Sequence, residues 1–117
     1  MDLEVESSTT PKGSILTLRG EIDVYTAPRL REAIVELVDK GAKDIVVDME
    51  AVEFLDSTGL GVLVGGLKRS KGKDARFAIV ATQEKILKIF DITGLNKVFP
   101  MYSSVEEATR ADDDSDR

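Results

Sequence analysis

Ile45-Val46-Val47-Asp48-Met49 and, a short loop later, Phe54-Leu55-Asp56-Ser57-Thr58-Gly59-Leu60-Gly61-Val62-Leu63 decide how this chain folds. The first run is β-branched and apolar, which predicts a strand covered on at least one face. The second passes through two hydroxyl residues into an apolar, glycine-rich segment that reads as a helix. That order places Ser57 at or beside a helix start, where unpaired backbone N–H groups and the positive end of the dipole collect. A hydroxyl there can cap the helix and, when it is also exposed, can accept a phosphate. The chain has no histidine and no cysteine, so Ser57 lacks the usual partners of a catalytic nucleophile. The chemistry points to a serine that is modified, not one that attacks.

Upstream of this stretch, Leu30, Ile34, Leu37 and Val38 share one helical face. Thr26 offers an N-cap for that helix, Pro28 sits in its first turn and Gly41 ends it. Earlier still, Leu3-Glu4-Val5 alternates and gives way to Ser7–Gly13, read as a hairpin loop. Ile15–Leu18 resumes as strand and stops near Gly20. Glu21–Thr26 reads as a polar-punctuated connection or short strand.

Downstream, the Ser57 helix is expected to run to about Ser70, punctuated by Lys71-Gly72-Lys73. Phe77–Val80 is another strand. Ile86, Ile89 and Phe90 repeat as a helix stopped by Gly94. Val98-Phe99 reads as a short last strand before Pro100. Ser104-Val105-Glu106-Glu107 carries a capping-box pattern that opens a final helix. Residues 112–117 read as a solvated, disordered acidic tail. No internal repeat or linker interrupts the rest. Strands alternating with helices predict an α/β domain over residues 1–111, with an N-terminal hairpin at 1–19.

Composition bounds the function. The 117 residues suffice for one domain and are too few for two. The 42% hydrophobic and 32% charged fractions are those of a soluble globular protein. The longest apolar run, Leu60–Leu67, is far short of the roughly 20 residues of a membrane span, and no N-terminal signal pattern precedes it. Absence of cysteine removes disulfides and thiolate metal sites and fits a reducing cytosol. Net charge is −6; without residues 112–117, which hold four acids and one base, it is −3. Such a surface argues against nucleic acid as a partner.

Other clusters have plainer readings. Gly59, Gly61, Gly65 and Gly66 lack a dinucleotide fingerprint, and no Gly-Lys-Ser/Thr follows a strand. Gly61 with Gly65, and Gly59 with Gly66, share helix faces, and close helix–sheet packing is the preferred reason for both pairs. Lys68, Arg69, Lys71, Lys73 and Arg76 suit the negative end of a helix. Asp48, Glu50, Glu53 and Asp56 are spread along the chain without histidine, so no metal site is expected. Asp23 reads either as a turn residue bonding its own backbone or as a partner contact. Asp56 caps the helix, orients Ser57, or does both.

Three motifs carry a family resemblance over about residues 14–109. Gly20-Glu21-Ile22-Asp23, Asp56-Ser57-Thr58-Gly59-Leu60-Gly61 and Phe90-Asp91-Ile92-Thr93-Gly94-Leu95-Asn96-Lys97-Val98-Phe99 resemble those of the anti-sigma-factor antagonists, small bacterial STAS domains. The resemblance implies a single STAS-like domain, a mixed sheet of about five strands packed by about four helices. It implies a non-enzymatic, cytoplasmic regulator, a monomer or weak dimer without cofactor. Unmodified, it binds an anti-sigma factor that is itself a serine kinase, and so frees a sigma factor. Phosphorylation at Ser57 ends the binding, and a protein serine phosphatase resets it. The matching partner surface is Glu21, Asp23, Asp56, Ser57, Thr58, Gly59 and Leu60. Within the same fold family, a scaffold subunit of a stress-signalling assembly and an accessory subunit of a lipid transporter are the alternatives. A serine hydrolase or a nucleotide-binding module has no motif in its favour.

Overall fold

A computed structural model describes the backbone of residues 2–115 and side chains through Arg110. The strands β1 (Leu3–Thr10), β2 (Gly13–Ile22), β3 (Asp44–Leu55), β4 (Arg76–Val80) and β5 (Met101–Tyr102) form one sheet in chain order. β1 is antiparallel to β2, and every other pairing is parallel, so the sheet is mixed. Between the parallel strands run α1 (Ala27–Asp39), α2 (Ser57–Lys71) and α3 (Glu84–Ile92), and α4 (Val105–Ser115) follows β5.

Alternation along the strands separates two layers. Leu16, Leu18, Ile45, Val47, Phe77 and Ile79 face the main core, where Leu30 and Ile34 of α1, Leu63 and Leu67 of α2, and Ile86 and Phe90 of α3 pack. Their strand neighbours of opposite facing, Val46 and Val80 with Ile15, meet Ala108 and Val105 of α4 on the other face. Arg76 pins that layer: its guanidinium donates to Asp44 Oδ1 and to the Ala108 carbonyl, each at 2.9 Å, and lies 5.4 Å from the Tyr102 ring centre.

Several boundaries differ from the sequence reading. The expected hairpin loop at Ser7–Gly13 is mostly strand; β1 and β2 pair from Leu3↔Gly20 to Thr10↔Gly13, leaving Pro11 and Lys12 to turn. β1 is an edge strand whose Glu6–Thr9 are all exposed, so it shows no apolar alternation there. β2 continues past Gly20 to Ile22 through an irregularity in its pairing with β3. Gly20 makes that bend (φ 111°), and a Cβ there would collide with the Asp2 carbonyl. β3 runs to Leu55 because β2 keeps pairing with it through Ile22↔Leu55. Val98-Phe99 is not a strand: a 3-10 turn at Leu95–Lys97 carries Phe99 into the core, edge-on to Phe90, and the last strand falls after Pro100. α4 extends through Ser115, since no glycine or proline follows Pro100 to break it. The stretch expected as tail is therefore helical backbone over 112–115, and residues 116 and 117 lie outside the described residues.

Candidate functional site

The carboxyl ends of β2 and β3 lie side by side, and each feeds a helix. Asp56 leaves β3 with extended backbone (φ −105°, ψ −177°) and accepts a 3.0 Å hydrogen bond from the Gly59 N–H through Oδ1. It is the N-cap of α2, satisfying one of the orphan donors of the first turn. Its own N–H donates to the Ile22 carbonyl at 3.1 Å, which ties the start of α2 to the end of β2. Ser57 is thereby the first helical residue and is exposed. Among the described residues its hydroxyl has no hydrogen-bond partner. The dipole's positive end sits behind it, a favourable place for added negative charge.

Thr58 is exposed beside Ser57, and Leu60 is half-buried. Gly59 is buried for a packing reason: a Cβ would come within 2.6 Å of Ile22 Cγ2 and 2.7 Å of Leu55 Cδ1. α2 thus settles directly on the paired ends of β2 and β3. Gly66 does the same further along, where a Cβ would meet Phe77 Cζ at 3.0 Å. Gly61 and Gly65 behave otherwise. A Cβ on either meets nothing within 4 Å, so the packing reason expected for both glycine pairs holds only for Gly59 and Gly66. Gly61 and Gly65 instead line an open groove of about 310 Å³ between α1 and α2, with Thr58, Val35, Arg31 and Arg69 around it.

The loop from β2 to α1 is built by two side chains. Asp23 Oδ1 accepts from the N–H groups of Tyr25 and Thr26 at 2.9 and 3.0 Å. The Asp23 N–H donates to Thr26 Oγ1 at 2.9 Å, and that hydroxyl donates to the Glu21 carbonyl at 2.8 Å. Thr26, expected as the cap of α1, makes no capping bond; its hydroxyl is spent on closing this turn. Asp23 supplies the local acceptor instead, and with 6% exposure it is buried. The two residues between them are pushed outward: Val24 is 56% and Tyr25 85% exposed. Phe54, in register with half-buried Glu21, is 42% exposed.

The structure thus brings Glu21, Asp56, Ser57, Thr58 and Leu60 to one end of the sheet, while Asp23 and Gly59 lie beneath that surface. Val24, Tyr25 and Phe54, exposed at the same end, were not singled out as surface residues in the sequence. The available signal was two apolar residues directly after a polar turn motif and before Pro28.

Among the described residues no helix is long and apolar enough to cross a membrane, and no group of three acidic residues gathers to hold a metal. A family model described as the STAS domain matches residues 3–108. The anti-sigma-B factor antagonist of Staphylococcus aureus (strain NCTC 8325 / PS 47) is 37% identical over 106 residues, spanning 91% of this chain and 98% of that one. Its Staphylococcus epidermidis counterpart has the same identity and coverage. The crystal structure of an anti-sigma factor antagonist from Mycobacterium paratuberculosis superposes with a TM-score of 0.88 at 32% identity, covering 94% of this chain and 93% of that one.

Proposed function

This chain belongs to the STAS domain family, and from that premise we propose that it is an anti-sigma factor antagonist switched by phosphorylation at Ser57. Unmodified, it binds an anti-sigma factor with serine kinase activity and so releases a sigma factor. The kinase phosphorylates Ser57 and dissociates, and a protein serine phosphatase restores the binding form. The protein acts as a substrate and a ligand, not as an enzyme, in the cytoplasm, and as a monomer or weak dimer. The folded unit runs from β1 into α4.

The observation that carries this reading is the division of labour at the start of α2. Asp56 has taken the cap, so the Ser57 hydroxyl is exposed and uncommitted at a helix N-terminus. A phosphate there adds about −1.5 to −2 charges and three acceptor oxygens. The monomer tolerates that charge because the dipole favours it. A close-fitting partner surface does not, since docking would strip water from the phosphate without replacing its hydrogen bonds. Glu21, Thr58 and Leu60 flank the same surface and complete the contact, while Asp23 and Gly59 support it from below.

The test incubates the protein with ATP and each anti-sigma factor kinase of its host, maps phosphate by mass spectrometry and follows the complex by gel filtration. Phosphate on Ser57 with loss of the complex supports the reading. A stable complex that never becomes phosphorylated overturns the switch, and failure to bind any of them overturns the antagonist reading itself.

A further inference from the structure

Among the described residues six large hydrophobic side chains are exposed, and three of them, Val24, Tyr25 and Phe54, fall within three positions of Asp23 or Ser57. Single exposed apolar residues need no explanation, but a gathering at one end of a sheet marks an interaction surface. Nothing in the fold requires Val24 and Tyr25 to face water by accident of a slack loop. The turn that holds them is fixed by four hydrogen bonds at 2.8–3.0 Å: two accepted by Asp23 Oδ1, and two made at Thr26 Oγ1. The Ala27 N–H adds a fifth, to the Asp23 carbonyl at 2.8 Å. A pre-ordered turn presents its side chains without the entropy cost of ordering them on docking.

We infer that Tyr25, with Val24 next to it in the turn and Phe54 at the same end of the sheet, is the apolar anchor for the anti-sigma factor, and that Asp23 is a positioning residue that holds Tyr25 out and does not itself touch the partner. This rests on the function proposed above. The occupant follows from continuity: the Asp56 N–H bonded to the Ile22 carbonyl, and Phe54 in register with Glu21, join the Tyr25 turn to the Ser57 surface. One partner footprint covers both. The chemistry it needs is a shallow apolar cleft able to enclose an aromatic ring, with the phosphoacceptor at its edge. Tyrosine suits such an anchor because it brings large contact area with few rotatable bonds. A phosphate on Ser57 is then carried into the margin of an apolar contact, where water that solvates it must be lost.

The reading of Asp23 separates cleanly from a charge contact. Asn keeps an Oδ1 acceptor for the Tyr25 and Thr26 N–H groups and removes the charge; Ala removes both. The experiment measures Kd for the purified host anti-sigma factor kinase by titration calorimetry, with a thermal melt of each variant. Tyr25→Ala is expected to weaken binding by roughly ten- to hundredfold at unchanged Tm. Asp23→Asn is expected to stay within about threefold of wild type, whereas Asp23→Ala loses about tenfold or more. In the kinase assay Tyr25→Ala raises KM for this protein and leaves kcat nearly unchanged. Wild-type affinity in Tyr25→Ala overturns the anchor. Asp23→Asn failing as badly as Asp23→Ala, with both folded, overturns the positioning role and makes the carboxylate a direct contact. If wild type binds no host kinase, the proposed function falls first and this inference with it.

Discussion

Asp56 and Ser57 are both good N-cap residue types, and only the one holding non-helical backbone does the capping. Here that is Asp56, whose carboxylate accepts from Gly59, which leaves Ser57 in the helix with a free hydroxyl. The two side chains should therefore respond oppositely to truncation. Asp56→Ala is expected to cost about 1 kcal/mol, lowering Tm by about 4 °C in a domain of this size. Ser57→Ala should stay within about 0.5 kcal/mol of wild type, bind the anti-sigma factor and accept no phosphate. Thermal melts and phosphate mapping on the two variants check this; a Ser57→Ala melt as low as that of Asp56→Ala would return the cap to serine. The exposed serine at the start of α2 was legible in the sequence because hydroxyl, glycine and strand-to-helix order coincide there. The division between neighbours was not, since it depends on one backbone torsion that either residue type can adopt. Asp23 was ambiguous for a related reason: the same carboxylate that could meet a partner can fold back on its own turn, as Oδ1 does toward the Tyr25 and Thr26 N–H groups.

At the scale of elements, α2 shows what its glycines do. Two of them meet the core, Gly59 against Ile22 and Leu55, and Gly66 against Phe77 and Ile34. Two face the open groove. Gly61→Ala and Gly65→Ala are each expected to stabilise the isolated protein by about 0.5–1 kcal/mol, the helix-propensity gain without a packing cost. Gly59→Ala should destabilise it, because Ile22 is fully buried and β-branched and cannot give way freely. Chemical denaturation of the three alanine variants would show the split, and a loss in Gly61→Ala equal to that in Gly59→Ala would contradict it. Spacing alone grouped the glycines by face correctly but could not say which face met the sheet. The long β1–β2 hairpin was hidden for a different reason. Ser7, Ser8 and Thr9 lie on an edge strand with solvent around them, so no burial pattern marks their pairing. The helices α1 and α3 were readable, since Leu30, Ile34 and Val38, or Ile86 and Phe90, are buried on one face each.

For the molecule as a whole, the parallel order β2-β3-β4-β5 places α1, α2 and α3 against one core and leaves α4 alone on the other face. The alternation of strands and helices made that layered fold legible, but not the side on which the last helix packs. α4 is held by a small apolar contact and by Arg76, which reaches Asp44, the Ala108 carbonyl and the Tyr102 ring. In the sequence Arg76 belonged to a basic cluster at a helix end; only the three-dimensional contacts separate it from that cluster. Arg76→Ala is expected to cost about 2 kcal/mol, less than a fully buried pair because the arginine side chain is partly exposed. Faster amide exchange confined to α4 and β5 would confirm the pin, and uniform protection across the chain would contradict it. Because this pin lies on the α4 face of the sheet, away from α2, Arg76→Ala should leave Ser57 phosphorylation intact.

Modification at Ser57 is expected to act on the interface and not on the fold. The most direct measurement is the Kd of the host anti-sigma factor kinase for the protein before and after stoichiometric phosphorylation at Ser57, with a thermal melt of both forms. A penalty of about 4 kcal/mol corresponds to roughly a thousandfold weaker binding, expected with Tm unchanged or slightly raised by the favourable charge at the helix start. Equal affinity of the two forms, or a phosphorylated form that loses binding only because it unfolds, would show that Ser57 does not act as an interface switch.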